Sequence, residues 1–263
     1  MANQHKLILL DLDGTLFVGN QEIPGAVKSI AHLREQGFIL RFLTNTTTKS
    51  HAELFGQMIS LGFRLAPEEL ISAPIGAKLE LQAIQQKRNR PLRIWPVVAD
   101  AIKPDFAEFE YDDVNPDFVV LGDIGERWDL ALINKLFNLI HGGAELIALH
   151  KNRFWQTEDG LKADIGFFVA GLEYVCSKNA LIMGKPNADF FKRVLDSVGV
   201  SPAQTIMVGD DIDSDVGGAQ LLGMKGCLVK TGKFRQAYFD ASSVKPDWVL
   251  ASIADLPEVL AAS

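Results

Sequence analysis

The sequence predicts an α/β protein: a core domain built on a parallel sheet, with a second α/β domain inserted into it. Short apolar segments alternate with amphipathic segments at the N-terminus, and the same alternation returns near the C-terminus. The residues between the two, 75–178, contain helix and strand patterns of their own. We therefore expect residues 1–74 and 179–263 to form the core domain and residues 75–178 to form the inserted domain.

The N-terminal alternation begins with a short strand. Leu7 to Leu10 form an apolar run that stops at Asp11, which is typical of a buried parallel strand. Pro24 as a first helical residue and Gly37 as a stop predict the helix that follows. The next predicted elements are a strand over Phe38 to Leu43, a polar loop over Thr44 to Thr48 and a helix that ends at Gly62. This β-α-β-α order implies a parallel sheet with right-handed crossovers.

The remaining elements repeat the pattern. In the C-terminal part we expect helices over Ala188 to Val198 and Asp215 to Leu222, and strands over Thr205 to Val208 and Gly226 to Val229. In the inserted part we expect strands over Phe118 to Leu121 and Leu146 to Leu149, and helices over Leu130 to Ile140 and Phe167 to Val175. Both parts thus predict parallel sheets.

Composition excludes several classes of function. The chain has 263 residues, 48% of them hydrophobic, and a formal charge of −7, which argues against a nucleic-acid partner. No apolar run approaches the ~18 residues of a membrane span, so no membrane partner is expected. Cys176 and Cys227 are too few for a disulfide framework, and we interpret them as buried thiols of a cytoplasmic protein.

Acidic residues follow two of the predicted core strands, at the sheet edge where open parallel sheets bind ligands. Asp11 and Asp13 are two apart, so in an extended chain they leave one face with Cα atoms roughly 6 to 7 Å apart. One phosphoryl group fits between them, and their mutual repulsion calls for a cation or a shared proton. With Asp210 as a third carboxylate, Mg²⁺ is the favoured ion. Asp13-Gly14 alone is equally typical of a hairpin turn.

Thr44 and Lys185 are two further candidates for this site. Thr44 follows the predicted strand over Phe38 to Leu43, and Lys185 precedes the predicted helix over Ala188 to Val198. Thr44 and the backbone N–H groups after it can bind phosphate oxygens, although Thr44-Asn45 is also typical of a turn or a helix cap. Lys185 precedes Pro186, which we expect to open the next helix. A lone surface lysine is the ordinary interpretation, and we expect Lys185 to line a solvent-accessible site.

Together the four segments resemble the haloacid dehalogenase superfamily of phosphohydrolases, whose core is Rossmann-like. They are, in order, Asp11-Leu12-Asp13-Gly14-Thr15-Leu16, Thr44-Asn45, Gly184-Lys185-Pro186, and Gly209-Asp210-Asp211 with Asp215. The insertion between the second and third segments resembles a C2a cap of the NagD-like and p-nitrophenylphosphatase-like enzymes. The segments Asp215 to Gln220 and Thr231 to Arg235 look closest to the phospholysine/phosphohistidine/pyrophosphate phosphatase branch.

The resemblance implies roles for the site residues. Asp11 would be the nucleophile that forms an aspartyl-phosphate, and Asp13 the general acid and base. Mg²⁺ would bind Asp11, the main-chain carbonyl of Asp13, and Asp210. The phosphate oxygens would be bound by Thr44, Asn45, Thr46 and Lys185. Asp211 and Asp215 would orient metal-bound water or Lys185; a favourable carboxylate in a first helical turn is an equally good interpretation of Asp215.

The predicted function is a Mg²⁺-dependent phosphohydrolase acting on a small phosphoester, phosphoramidate or pyrophosphate. The alternatives are a phosphate-binding protein of this fold without turnover, and a phosphotransferase; a dehalogenase or a phosphomutase fits the motifs less well. The cap would contact the leaving group, with candidates at Lys151, Arg153, Trp155, Lys162 and Asp164. Because related capped enzymes often dimerise through the cap, a homodimer is also expected.

Overall fold

The computed structural model describes residues 5–157 and 160–262, apart from the side chains of 154–157, 160 and 161. Within it the chain divides into two compact units. The first contains the residues up to Thr44, Ala52–Ile71, and the chain from Lys185 onward; the second contains Asn45–His51 and Ser72–Gly184.

Strands and helices alternate along the described chain. The strands are β1 (Leu7–Asp11), β2 (Phe17–Val18), β3 (Gln21–Glu22), β4 (Ile39–Thr44), β5 (Leu70–Ser72), β6 (Arg93–Val97), β7 (Glu110–Tyr111), β8 (Phe118–Leu121), β9 (Glu145–Ala148), β10 (Phe154–Thr157), β11 (Gly160–Ala163), β12 (Leu181–Ile182), β13 (Thr205–Gly209), β14 (Lys225–Val229) and β15 (Trp248–Leu250). The helices are α1 (Ala26–Glu35), α2 (His51–Ser60), α3 (Ala73–Arg88), α4 (Leu130–His141), α5 (Gly166–Cys176), α6 (Ala188–Val198), α7 (Gly218–Gln220), α8 (Gln236–Ala241) and α9 (Leu256–Ala261). None of the helices in the described residues is long and apolar enough to cross a membrane.

The first unit is built on a six-stranded sheet in the order β15-β14-β13-β1-β4-β5. Strand β1 runs parallel to both neighbours, β13 and β4, and its residues Leu7 to Leu10 are completely buried. A strand buried on both faces reads as a continuous apolar run, which is why the N-terminal segment has no polar alternation. The α/β fold class predicted from the sequence is confirmed.

The second unit is built on a five-stranded sheet in the order β12-β9-β8-β6-β7. Alternate residues of β8 enter different apolar clusters. Val119 packs with Leu136 of α4 and Val169 of α5, whereas Phe118 packs with Ala77 of α3. Since successive strand residues point to opposite faces, this sheet has an apolar core on each face.

Three predicted helix starts are wrong. Helix α1 begins at Ala26 and not at Pro24, because Gly25, with φ 87°, turns the chain immediately before it. Helix α6 has the predicted bounds, Ala188–Val198, but Pro186 does not open it; the Asn187 side chain accepts a 2.9 Å hydrogen bond from the Asp189 N–H and caps the helix.

The third error concerns the helix expected over Asp215 to Leu222. The chain forms a π-helical turn over Ile212–Gly217, and α7 follows it. The turn begins early because the Asp211 carboxylate accepts hydrogen bonds from the N–H groups of Asp213 and Ser214. Asp215 therefore lies inside the turn instead of at a helix start.

Candidate active site

Polar residues meet at one edge of the six-stranded sheet because three adjacent strands end there. Strand pairing places Asp11 beside Leu43, one residue before Thr44, and places Leu10 beside Val208, two residues before Asp210. Asp11, Thr44 and Asp210 are all buried, with Asp11 8% exposed. The carboxyl ends of β1, β4 and β13 thus bring together side chains that are far apart in the sequence.

Lys185 forms the centre of a buried charge cluster in the first unit. Its Nζ donates a hydrogen bond to Asp11 Oδ1 and a second one, 2.7 Å long, to Asp215 Oδ1. Lys185 is 5% and Asp215 is 1% exposed. The Thr15 hydroxyl donates to the other oxygen of Asp11 at 3.3 Å. The expectation that Lys185 lines a solvent-accessible site is therefore wrong: its ammonium is paired with two carboxylates within the protein.

The electrostatic balance of this cluster is visible in its pKa values. Burial lowers the pKa of Lys185, but the charges of Asp11 and Asp215 outweigh that effect and raise it above its ordinary value. Burial raises the pKa of Asp215, and the Asp11 charge adds to this while Lys185 opposes it. Burial also raises the pKa of Asp210 to about 6, against the hydrogen bond from the Lys233 N–H. Lys185 is therefore the stable cation in a group of crowded carboxylates.

These carboxylates form a donor set suited to a hard divalent cation. Asp11, Asp210 and Asp215 each offer an oxygen, and the three oxygens lie within 4.8 Å of one another. One ammonium faces three carboxylates, so the cluster keeps an excess of negative charge. Oxygen ligands and excess negative charge are what Mg²⁺ needs, so two of the predicted ligands, Asp11 and Asp210, lie in a donor set that fits this ion.

Asp13 differs from its neighbour Asp11 in exposure. Its side chain is exposed, whereas Leu12 between them is buried. The backbone turns directly after Asp13, because Gly14 has φ 90° and its N–H donates to the Phe17 carbonyl at 2.7 Å. An exposed carboxyl beside a buried one is able to exchange protons with water and substrate, which is what the predicted acid and base role requires.

The last motif is organised by its own side chains. The Asp211 carboxylate caps the turn that follows it, and the Asp211 N–H donates to Asp215 Oδ2 at 3.2 Å. A Cβ at Gly209 would lie 2.0 Å from that same oxygen, so only glycine fits at the end of β13. These contacts orient Asp215 toward Lys185.

Sequence reasoning assigned no site role to residues 231–233, although they contact Asp210. The Lys233 N–H donates to Asp210 Oδ2 at 2.6 Å. The missed signal is the Thr231-Gly232 pair shortly after β14, since glycine lets a second backbone approach closely.

Asn45 and Thr46 belong to the second unit, although Thr44 directly before them ends β4 of the first. Asn45 lies near Gly184, where an added Cβ would be 3.2 Å from Asn45 Oδ1. The predicted role of both residues in binding phosphate stays a prediction.

Two of the leaving-group candidates line a pocket within the second unit. Lys162 and Asp164 border a cavity of about 570 Å³ together with Trp128 and Phe168, whose rings stack 3.7 Å apart. Lys151 instead pairs with Glu173. Arg153 is exposed, and the side chain of Trp155 lies outside the described residues.

This chain is similar to known proteins over most of its length. The family profile described as haloacid dehalogenase-like hydrolase matches residues 8–112, and a related hydrolase-like profile matches residues 182–256. The bovine haloacid dehalogenase-like hydrolase domain-containing protein 2 is 38% identical over 92% of this chain and 89% of its own. The human phospholysine phosphohistidine inorganic pyrophosphate phosphatase is 36% identical over 96% of this chain and 93% of its own.

Solved structures show the same fold. The 4-nitrophenylphosphatase of Thermotoga maritima superposes with a TM-score of 0.84 and 25% identity over 98% of both chains. NagD of E. coli superposes with a TM-score of 0.79 and 23% identity over 96% of this chain and 98% of its own.

Proposed function

Because the chain belongs to the haloacid dehalogenase-like hydrolase family, we propose that it is a phosphatase acting through a phosphorylated Asp11. The observation that carries the proposal is the buried pairing of Asp11 with Lys185, next to Asp210 and Asp215. A carboxylate oriented by a buried ammonium is a competent nucleophile, and its neighbours form a site for a cation and a phosphoryl group.

The reaction proceeds in two steps at phosphorus. An oxygen of Asp11 forms a bond to phosphorus as the bond to the leaving group breaks, and Asp13 gives the leaving group a proton. A water molecule then gives a proton to Asp13 and attacks the phosphorus of the aspartyl-phosphate, which releases phosphate and restores Asp11. The exposure of Asp13 supports this exchange, because its carboxyl must reach both leaving group and water.

The remaining core residues would orient the Asp11 carboxylate and offset the negative charge of the phosphoryl group. Lys185 and Thr15 contact different oxygens of Asp11 and fix the orientation of its carboxylate. Thr44 and Lys185, with Asn45 and Thr46, would stabilise the oxygens of the transferring group. Asp11, the Asp13 carbonyl and Asp210 would hold Mg²⁺, which supplies positive charge against the phosphate when bound.

We further propose that the first unit is the catalytic core and the second is the inserted cap that selects the leaving group. The second unit contains the pocket that Trp128, Phe168, Lys162 and Asp164 line, which offers both aromatic and charged contacts. Phosphoesters, phosphoramidates and pyrophosphate present the same phosphoryl group to the core, so such contacts must distinguish them.

The test is phosphate release from p-nitrophenyl phosphate by the purified protein. We expect turnover with Mg²⁺, none after chelation, and recovery when Mg²⁺ is added back. Phosphate binding without turnover would favour the binding-protein alternative. Release of p-nitrophenol in excess of phosphate, with phosphate transferred to an added alcohol, would favour a phosphotransferase. A panel of phosphoesters, phosphoramidates and pyrophosphate then identifies the preferred substrate class.

A homodimer and a cytoplasmic location are part of the proposal. Helix α5 exposes Phe167 and Tyr174, seven positions apart and so on one face, and Tyr174 is 86% exposed. Light scattering of the purified protein tests the dimer.

The two cysteines are free and buried, as is typical of a reducing compartment. Fractionation of cells that express the full chain tests the location.

A further inference from the structure

We propose that Thr231-Gly232-Lys233, the 231–233 segment, is a positioning element that orients the Asp210 carboxylate and thereby determines the Mg²⁺ affinity of the site. The inference rests on the proposed function, because Asp210 is taken there as a metal ligand. It adds a segment remote in sequence from the four motifs.

Two hydrogen bonds attach the segment to the site. The Lys233 backbone N–H donates to Asp210 Oδ2 at 2.6 Å. The Thr231 hydroxyl donates to the Gly14 carbonyl at 2.5 Å. The segment is therefore joined both to the carboxylate after β13 and to the turn after β1.

Two glycines enclose the same carboxylate oxygen. A Cβ built on Gly232 would lie 2.0 Å from Asp210 Oδ2 and 2.5 Å from the Gly14 Cα, and a Cβ on Gly14 would lie 2.1 Å from that oxygen. Both glycines have positive φ, +54° at Gly232 and +90° at Gly14. Only glycine at positions 14 and 232 allows these two backbones to approach Asp210 so closely. The Asp210 carboxylate therefore has little room to rotate.

The two oxygens of the Asp210 carboxylate therefore have different surroundings. Oδ2 accepts the hydrogen bond of the segment and is enclosed by both glycines, so Oδ1 is the less obstructed oxygen for a cation. An oriented ligand binds a metal without first losing conformational freedom, and removing such a supporting partner typically costs about 10- to 100-fold in metal affinity. The side chain of Lys233 takes no part in this contact, so the effect depends on the backbone.

The experiment compares Gly232→Ala with Gly199→Ala in the full chain. Gly199 also has positive φ, +70°, but nothing lies within 4 Å of its added Cβ, so it reproduces the backbone strain without the clash. Mg²⁺ binding is measured by calorimetry, and melting temperature is measured with and without Mg²⁺. We expect the Mg²⁺ dissociation constant of Gly232→Ala to rise about tenfold or more, and that of Gly199→Ala to stay within about twofold of wild type.

Thr231→Val tests the same role of the segment if Gly232→Ala does not fold. It removes only the hydroxyl contact to Gly14, and we expect the dissociation constant to rise on the order of threefold. The role of the segment is overturned if wild type binds Mg²⁺ and the variants that fold bind it with unchanged affinity. That result leaves the proposed function intact. A wild-type protein that neither binds Mg²⁺ nor releases phosphate overturns both.

Discussion

Both units contain a parallel sheet, but they differ in the charged side chains that they bury. The first unit buries Asp11, Lys185, Asp210 and Asp215 together at strand ends. In the described part of the second unit, His150 and Asp164 are the buried acidic and basic side chains, 3.8 Å apart, and burial lowers the pKa of His150 below its ordinary value. Burying like charges together opposes stability, so a fold tolerates it where the charges serve chemistry.

Other charged side chains of the second unit form ion pairs near its surface. Lys135 contacts Asp113 at 2.6 Å and Arg90 contacts Asp117 at 2.6 Å. Exposed pairs of this kind are worth about 0 to 1 kcal/mol. The comparison predicts that removing charge from the buried cluster of the first unit changes catalysis, whereas removing it from these exposed pairs of the second unit changes stability alone.

The largest expected effect is that of Asp11→Asn. An amide is a poor nucleophile, so phosphate release should fall by more than about 10³-fold while the protein stays folded. The matched control is Asp113→Asn, which removes the same charge from the exposed pair with Lys135 and should leave turnover unchanged. Equal activity in Asp11→Asn and wild type would remove Asp11 from the reaction.

Lys185 should affect both catalysis and stability. Lys185→Met keeps most of the side-chain volume but removes the ammonium, so turnover should fall about 10²- to 10³-fold. Stability without metal should fall by about 3 kcal/mol, because Asp11 and Asp215 lose their common counter-charge, and Mg²⁺ should restore part of it. Urea unfolding with and without Mg²⁺ measures this. An unchanged unfolding midpoint would show that the buried pairing does not stabilise the unit.

The smallest effect is expected for Asp117→Asn in the second unit. Arg90 contacts both oxygens of Asp117 and the Arg93 N–H donates to it at 2.9 Å; these contacts lower the pKa of Asp117 to about 2. The substitution should cost about 1 kcal/mol at neutral pH, allowing for screening by solvent, and leave turnover unchanged.

The pH dependence of that difference has a definite sign. A carboxyl whose pKa is lowered in the folded state stabilises the protein above its unfolded pKa of about 3.9, and the contribution is lost as the pH falls toward 2. Unfolding of wild type and Asp117→Asn should therefore converge in acid. A gap between the two that persists at pH 2 would assign the stability to something other than the ionised carboxylate.

The comparison also shows what the sequence alone could predict. Strands and motifs were accessible because each is local: Leu7 to Leu10 form one apolar run, and Asp11 and Asp13 follow it directly. The start of α1 was missed because φ at Gly25 depends on the turn around it. The burial of Lys185 could not be predicted, since it depends on where Asp11 and Asp215 lie in space, 174 and 30 positions away. The contact of residues 231–233 with Asp210 is likewise tertiary.

The central claim is that Asp11 itself becomes phosphorylated. The direct measurement is mass spectrometry of enzyme quenched in acid during turnover of p-nitrophenyl phosphate, with the digest searched for one added phosphoryl group. The account predicts a phosphorylated peptide with the modification on Asp11, formed in proportion to active enzyme and lost when substrate is exhausted. Continued turnover with no phosphorylated Asp11 at any time, or a phosphoryl group on another residue that disappears at the rate of turnover, would contradict it.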